Sequence, residues 1–160
     1  QSAYLTHLVI TSGTLATLEV ESNISKKELF SLADTYSSID NLAAPIASGT
    51  FPTVGMIICP CSMKTLAGIA HGYSENLLLR AADVTLKERR KLVLVPRETP
   101  FSTIHLNNML TLSQMGVVIL PPMMTYYIKP LTAEEMTHHL VGKILDQFEI
   151  ELPGFKRWGI

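Results

Sequence analysis

Charge is scarce in this chain. Asp, Glu, Lys and Arg make up 17% of its 160 residues, against about 25% in ordinary soluble domains. So low a share leads us to expect that other subunits cover much of the surface. The net charge of −1 leaves no electrostatic footprint for nucleic acid or an anionic membrane. Long apolar runs are missing as well. Gly116–Met124 is interrupted by Pro121 and Pro122, and nothing approaches the roughly 20 residues that span a bilayer. There are only two cysteines, Cys59 and Cys61, one residue apart. That spacing strains a disulfide, and zinc sites need wider spacing and a second ligand pair. Both are expected as reduced thiols in a core strand. The five histidines form no HExxH or comparable pattern, so no metal is expected. The GxSxG, GxxxxGK[ST] and GxGxxG motifs are also absent, which removes hydrolase-elbow and P-loop readings. No signal peptide is visible and nothing asks for an oxidising compartment, so the expected location is cytoplasmic.

What is present is enough apolar sequence, 47%, to build the core of one domain and to exclude intrinsic disorder. Leu5–Thr11 reads as a strand, followed by a weak helical stretch. Ser25-Lys26-Lys27-Glu28 is a capping box opening a short helix to about Ala33. Residues 34–52 are small, polar and aperiodic, and are expected to be mostly loop. Gly55–Pro60 is a continuous apolar run, as in a strand covered on both faces. Helices are expected over Met63–His71, capped by Ser62, and over Asn76–Arg90. Leu92–Val95 is the next buried strand, and a helix capped by Ser102 or Thr103 reaches Met115. Val117–Leu120 is a strand, Pro121–Pro130 a rigid loop, and Thr132-Ala133-Glu134-Glu135 a second capping box. The helix behind it sets Met136, Leu140, Val141, Ile144, Leu145 and Phe148 on one face. Apolar strands alternating with amphipathic helices predict an α/β fold, a parallel sheet with helices on both faces.

In such sheets ligands sit beyond the carboxyl ends of the strands, which directs attention to four places. Thr11-Ser12-Gly13 follows the first strand. Cys61-Ser62-Met63-Lys64-Thr65 lies where a strand becomes a helix, and its free N–H groups suit an anion or a polar ring edge; simple capping by Ser62, with Lys64 solvated, is the commoner explanation. Arg97 and Glu98 stand on a Pro-bounded turn, where Arg can clamp an anion and Glu can move a proton; a surface ion pair is the plainer alternative. Pro121–Pro130 carries Tyr126 and Tyr127, which with Trp158 offer aromatic faces or act as packing residues. Away from the strand ends, Arg80, Asp83 and Lys87 share a helix face, with Asp83 four residues before Lys87 in the favourable orientation of a solvated charge ladder. The residues alone lead to a small-molecule or cofactor site on an α/β sheet.

Several stretches recur together in one known family. They are Ala47-Ser48-Gly49-Thr50-Phe51, Pro60-Cys61-Ser62-Met63-Lys64-Thr65-Leu66, Asn76–Val84, Leu86-Lys87-Glu88-Arg89-Arg90 and Arg97-Glu98-Thr99-Pro100. With Leu145-Asp146-Gln147-Phe148 and Lys156-Arg157-Trp158, they closely resemble the UbiX-type flavin prenyltransferases, which include the small B subunits of phenolic-acid decarboxylases. The resemblance implies a single three-layer, flavodoxin-like (Rossmann-type) domain, assembled as a homododecamer. It implies transfer of a dimethylallyl group from dimethylallyl monophosphate to N5 and C6 of reduced FMN, without a metal. The product, prenylated FMN, passes to a UbiD-type decarboxylase. By the same resemblance, Ser62, Met63, Lys64, Thr65 and Arg97 line the FMN, and Thr11 stands where a serine usually touches it. Glu98 matches the acid implicated in proton transfer during ring closure. Lys87, Tyr127 and Lys143 match residues that hold the prenyl phosphate; Arg80 lies near the site and Trp158 supplies an aromatic wall.

Two departures accompany the likeness. Position 143 is usually arginine, and lysine keeps the charge but loses the planar two-pronged grip on phosphate. The family's first strand and its glycine-serine loop precede the point where this chain starts, so a polypeptide beginning at Gln1 is expected to bind FMN poorly. An FMN-binding accessory subunit without chemistry is the alternative reading. Direct decarboxylation of aromatic acids is a third, disfavoured by the lack of an electron sink in the chain itself.

Overall fold

The computed structural model describes residues Tyr4–Gly159. Contacts divide them into two compact units, one running to Thr53 and resuming over Gly68–Arg90, the other comprising Val54–Ala67 and the chain from Lys91 onwards. Every strand pair among the described residues is parallel. No helix among them is long and apolar enough to cross a membrane.

In the first unit, β1 (His7–Ile10) pairs with β2 (Thr35–Ser38), His7 opposite Thr35 and Ile10 opposite Ser38. Between them run α1 (Ser12–Glu21), none of whose residues is buried, and α2 (Lys26–Ser31). The predicted capping box is formed: Ser25 Oγ accepts from Glu28 N at 3.2 Å, and Glu28 Oε2 accepts from Ser25 N at 2.8 Å. The expected loop over 34–52 is corrected by β2 and by a one-turn 3-10 helix, Pro45–Ala47. The physical reason is a clamp 28 residues long in sequence. Asp34 Oδ2 accepts from Thr6 N at 2.7 Å and from Thr6 Oγ1 at 2.8 Å, while Asp34 N donates to Thr6 Oγ1. That clamp fixes the β1–β2 register without any apolar alternation in β2. Helix α4 (Leu77–Lys87), capped by Asn76 Oδ1 accepting from Leu79 N at 3.0 Å, packs on β1 and on the 3-10 turn. It ends before the predicted Arg90 because Arg89 turns to φ 54 and Arg90 N reaches back to Thr85 O at 2.9 Å.

In the second unit the order is β3 (Gly55–Cys61), β4 (Lys91–Pro96), β5 (Val118–Ile119). The central strand is buried from Leu92 to Pro96. The outer strand β3 departs from the expected full burial, since Ile57, Cys59 and Pro60 are exposed in this chain. Of the two thiols expected in the core, only that of Cys61 is buried; both are free. Gly55 has φ 154, and a Cβ there would lie 2.6 Å from Phe148 Cε1 as well as against the Lys91 carbonyl, so only glycine starts this strand without strain. Helix α3 (Met63–Ala70) follows β3, and α5 (Thr103–Gln114) follows β4. Helix α6 (Ala133–Asp146) lays Ile144 and Leu140, with Phe148 beyond its end, on Val93, Val95, Val118 and Leu120. Each such side chain fully buried contributes about 1.5–3 kcal/mol.

Candidate functional site

The register of β3 on β4 brings two predicted site segments side by side. Cys61 stands opposite Pro96, and Arg97 N donates to Cys61 O at 3.3 Å. Ser62 and Arg97 are therefore the first residues beyond two paired strand ends. Ser62 Oγ accepts from Thr65 N at 3.2 Å and donates to Thr65 Oγ1 at 3.1 Å. The capping role is real, and it leaves the N–H groups of Met63 and Lys64 at the open first turn of α3. Met63 and Thr65 are half-buried; Ser62 and Lys64 are exposed. Arg97 and Glu98 do not pair. Glu98 Oε1 turns back to accept from Thr99 N at 3.1 Å, and Arg97, exposed, has no side-chain partner among the described residues. Burial pushes the neighbouring Cys61 thiol up to about 12, so it is no nucleophile.

A second cluster lies beyond β5 in the same unit. The loop after Ile119 carries Tyr127, whose Oη is 3.2 Å from His139 Nε2 on α6. Tyr127 meets Trp158 edge-on at 5.2 Å and 90°, and His139 at 5.6 Å and 88°. Phe155 covers His139 from 5.1 Å. Gly142 makes room for that ring: a Cβ there would sit 2.7 Å from Phe155 Cγ. Trp158 is anchored through its neighbour Arg157, which is paired with Asp146 at 2.5 Å. Lys143 is exposed one turn beyond His139 on α6, and no side-chain contact ties it to Tyr127. Burial holds the His139 imidazole below its ordinary pKa, and the charges of Lys143 and His138 act in the same direction.

The first unit holds the other predicted residues. Thr11 Oγ1 caps α1, accepting from Thr14 N at 3.2 Å. Arg80 Nε donates to Ala47 O at 3.1 Å, and its Nη1 pairs with Asp83 at 2.9 Å. The predicted Asp83–Lys87 ladder is thereby corrected: Asp83 takes Arg80, and Lys87 takes Glu88. Gly49 lies over the Lys87–Glu88 pair, where a Cβ would come within 2.6 Å of Lys87 Nζ. Arg90 ties the same loop down, donating to Gly49 O at 2.6 Å, Phe51 O at 2.8 Å and Thr53 Oγ1 at 3.2 Å. Sequence reasoning gave Arg90 and His139 no role. Each was visible only as a spacing, Arg90 three residues after Lys87 and His139 four before Lys143.

The arrangement offers an unpaired guanidinium, a helix N-terminus, a carboxylate and a phenol with aromatic walls, suited to an anionic ligand with a flat ring. The flavoprotein family model matches residues 5–148. A probable UbiX-like flavin prenyltransferase of Sedimentibacter hydroxybenzoicus is 55% identical over 153 residues, covering 96% of this chain and 81% of that protein. The flavin prenyltransferase UbiX of Neisseria meningitidis serogroup B is 48% identical, covering 96% and 81%. A dodecameric FMN-dependent UbiX-like decarboxylase from Escherichia coli O157:H7 is similar in structure with a TM-score of 0.95 at 52% identity, covering 98% of this chain and 84% of that one. A UbiX structure in complex with FMN and dimethylallyl pyrophosphate gives a TM-score of 0.94 at 46% identity, covering 96% and 82%.

Proposed function

This chain belongs to the UbiX-like flavin prenyltransferases of the flavoprotein family and has their α/β flavodoxin-like fold, and on that premise we propose how its residues divide the work. The reaction joins a dimethylallyl group from dimethylallyl monophosphate to N5 and C6 of reduced FMN. The observation that carries the assignment is the Cys61–Pro96 register, with Arg97 N on Cys61 O, which sets Ser62 and Arg97 together. The flavin, when bound, supplies the electron-rich atoms that take the prenyl carbon. The residues present fit it: Arg97 offers an unpaired guanidinium to an anion, and Ser62 to Thr65 offer hydroxyls and first-turn N–H groups to a polar ring edge or phosphate. Thr11 stands at the position where the family has serine.

As the C–O bond of the prenyl phosphate breaks, the phosphate leaves with the electron pair. Charge building on its oxygens calls for cations and a phenol, the part that the family likeness gives to Lys87, Lys143 and Tyr127, with Arg80 as a further cation. Trp158 and Tyr127 present ring faces that steady an allylic cation and exclude the water that would capture it. Closing the ring onto C6 adds a proton to the adjacent alkene carbon of the prenyl group and releases the proton that C6 carried, and both transfers fall to Glu98, whose carboxylate accepts from Thr99 N. Glu98 and Lys87 are the catalytic residues of this reading.

The product goes to a UbiD-type decarboxylase, in the cytoplasm. The enzyme assembles as a homododecamer, a reading supported by the apolar Ile104, Leu106, Leu110, Met123 and Met124, each more than half exposed in this chain. The test is to mix the protein with reduced FMN and dimethylallyl monophosphate and weigh the flavin. A flavin heavier by one prenyl unit is expected; FMN recovered unchanged overturns the assignment.

A further inference from the structure

His139 is 4% exposed, and only one of its ring nitrogens has a partner. Nε2 is 3.2 Å from Tyr127 Oη, while Nδ1 is buried with no hydrogen-bond partner among the described residues. A neutral imidazole carries a single proton, so the ring has two tautomers to choose between. A proton on Nδ1 would bury an N–H donor without an acceptor, a rare and costly arrangement. A proton on Nε2 satisfies that donor through Tyr127 Oη and leaves only a bare lone pair at Nδ1. The imidazolium is worse on both counts, since it would carry the orphan N–H and face Lys143 and His138 from the same helix; burial and both of those charges oppose protonation.

Tyr127 accepts a hydrogen bond in that tautomer, so its own phenolic proton has to point elsewhere. Tyr127 as a residue is 49% exposed. The ring itself is locked, edge-on to Tyr127 on one side and under Phe155 on the other, with Gly142 beneath Phe155.

We infer that His139 is a positioning residue: it donates Nε2–H to Tyr127 Oη and thereby turns the Tyr127 hydroxyl into a fixed donor for the prenyl phosphate. Without His139 the phenol can rotate, and can face a phosphate oxygen with its own lone pairs. The inference rests on the phosphate role given to Tyr127 above, but the tautomer can be read without any turnover.

The test has two arms. Solid-state 15N spectra of histidine-labelled wild-type protein at neutral pH should show His139 protonated at Nε2 and bare at Nδ1. The opposite tautomer, or an imidazolium, overturns the inference even if prenyl transfer is confirmed. In the kinetic arm, His139→Leu should raise KM for dimethylallyl monophosphate roughly tenfold, the effect of one lost hydrogen bond to a charged oxygen. His139→Gln, whose amide can supply N–H near the Nε2 position, should restore most of it. In a Tyr127→Phe background, His139→Leu should change KM no further. An equal rise there would show that His139 acts on folding or packing, not through the phenol, and would end the proposal.

Discussion

In the first unit the cations of α4 and of the turn after it already have oxygens: Arg80 has Ala47 O and Asp83, Lys87 has Glu88, and Arg90 has three acceptors in the 49–53 loop. In the second unit the reverse holds. Arg97, Lys64 and Lys143 are exposed with no ion pair among the described residues. A cation that is already paired shapes the chain, and one left unpaired is available to an anion. The comparison also predicts how Lys87 meets a phosphate: by exchanging its Glu88 partner, a smaller gain than for a lysine that begins alone.

The largest expected effect lies at the unpaired end. Glu98→Gln should keep FMN binding and lose ring formation by a factor of roughly 10²–10⁴, the usual worth of a positioned general acid or base. Flavin absorbance and mass report it, and unchanged product would favour the accessory-subunit reading. Next, Arg90→Met should lower stability by about 2–3 kcal/mol, because three oxygen acceptors lose a charged donor. Denaturant unfolding measures this. Arg97→Met should do the converse, weakening FMN by roughly tenfold to a hundredfold while moving stability by no more than about 0.5 kcal/mol. If Arg97→Met unfolds the protein and Arg90→Met does not, the contrast between the units is wrong.

The smallest effect concerns pH. Hydrogen bonds from Thr6, first its backbone N–H and then its hydroxyl, hold the Asp34 carboxyl below its ordinary value of 3.8. A carboxylate with a depressed folded-state pKa stabilises fully above the ordinary value, and that contribution is lost as pH falls through the folded one. Protection factors of the β1 and β2 amides, taken relative to intrinsic exchange at each pH, should therefore be flat from neutrality down to the ordinary carboxylate range and fall only below it. In Asp34→Asn the step should disappear.

Much of the fold was legible in the sequence because it is written locally. Ser25, Ser62, Ser102 and Thr132 cap the helices, and the apolar runs of β3 and β4 sit between turn residues. What was illegible depends on partners distant in sequence. Thr35-Tyr36-Ser37-Ser38 has no strand pattern of its own and becomes β2 through the Thr6–Asp34 clamp. The box predicted at Thr132 is half made, because Glu135 Oε2 takes Leu131 N at 2.9 Å instead of Thr132 N. An unforeseen box forms at Ser102, where His105 Nδ1 replaces the usual carboxylate. Among the candidate site residues, Ser62, Arg97 and Glu98 are singled out by strand ends alone. His139 is not, since its role comes from burial and from a tyrosine 12 residues away.

One measurement addresses the core of this account: a crystal structure of the protein grown with FMN and dimethylallyl monophosphate. Flavin density against the Ser62–Thr65 turn, with the Arg97 guanidinium in contact and the prenyl phosphate at Tyr127, is the expected result. Flavin seated away from both strand ends, with Arg97 still in solvent, would contradict it.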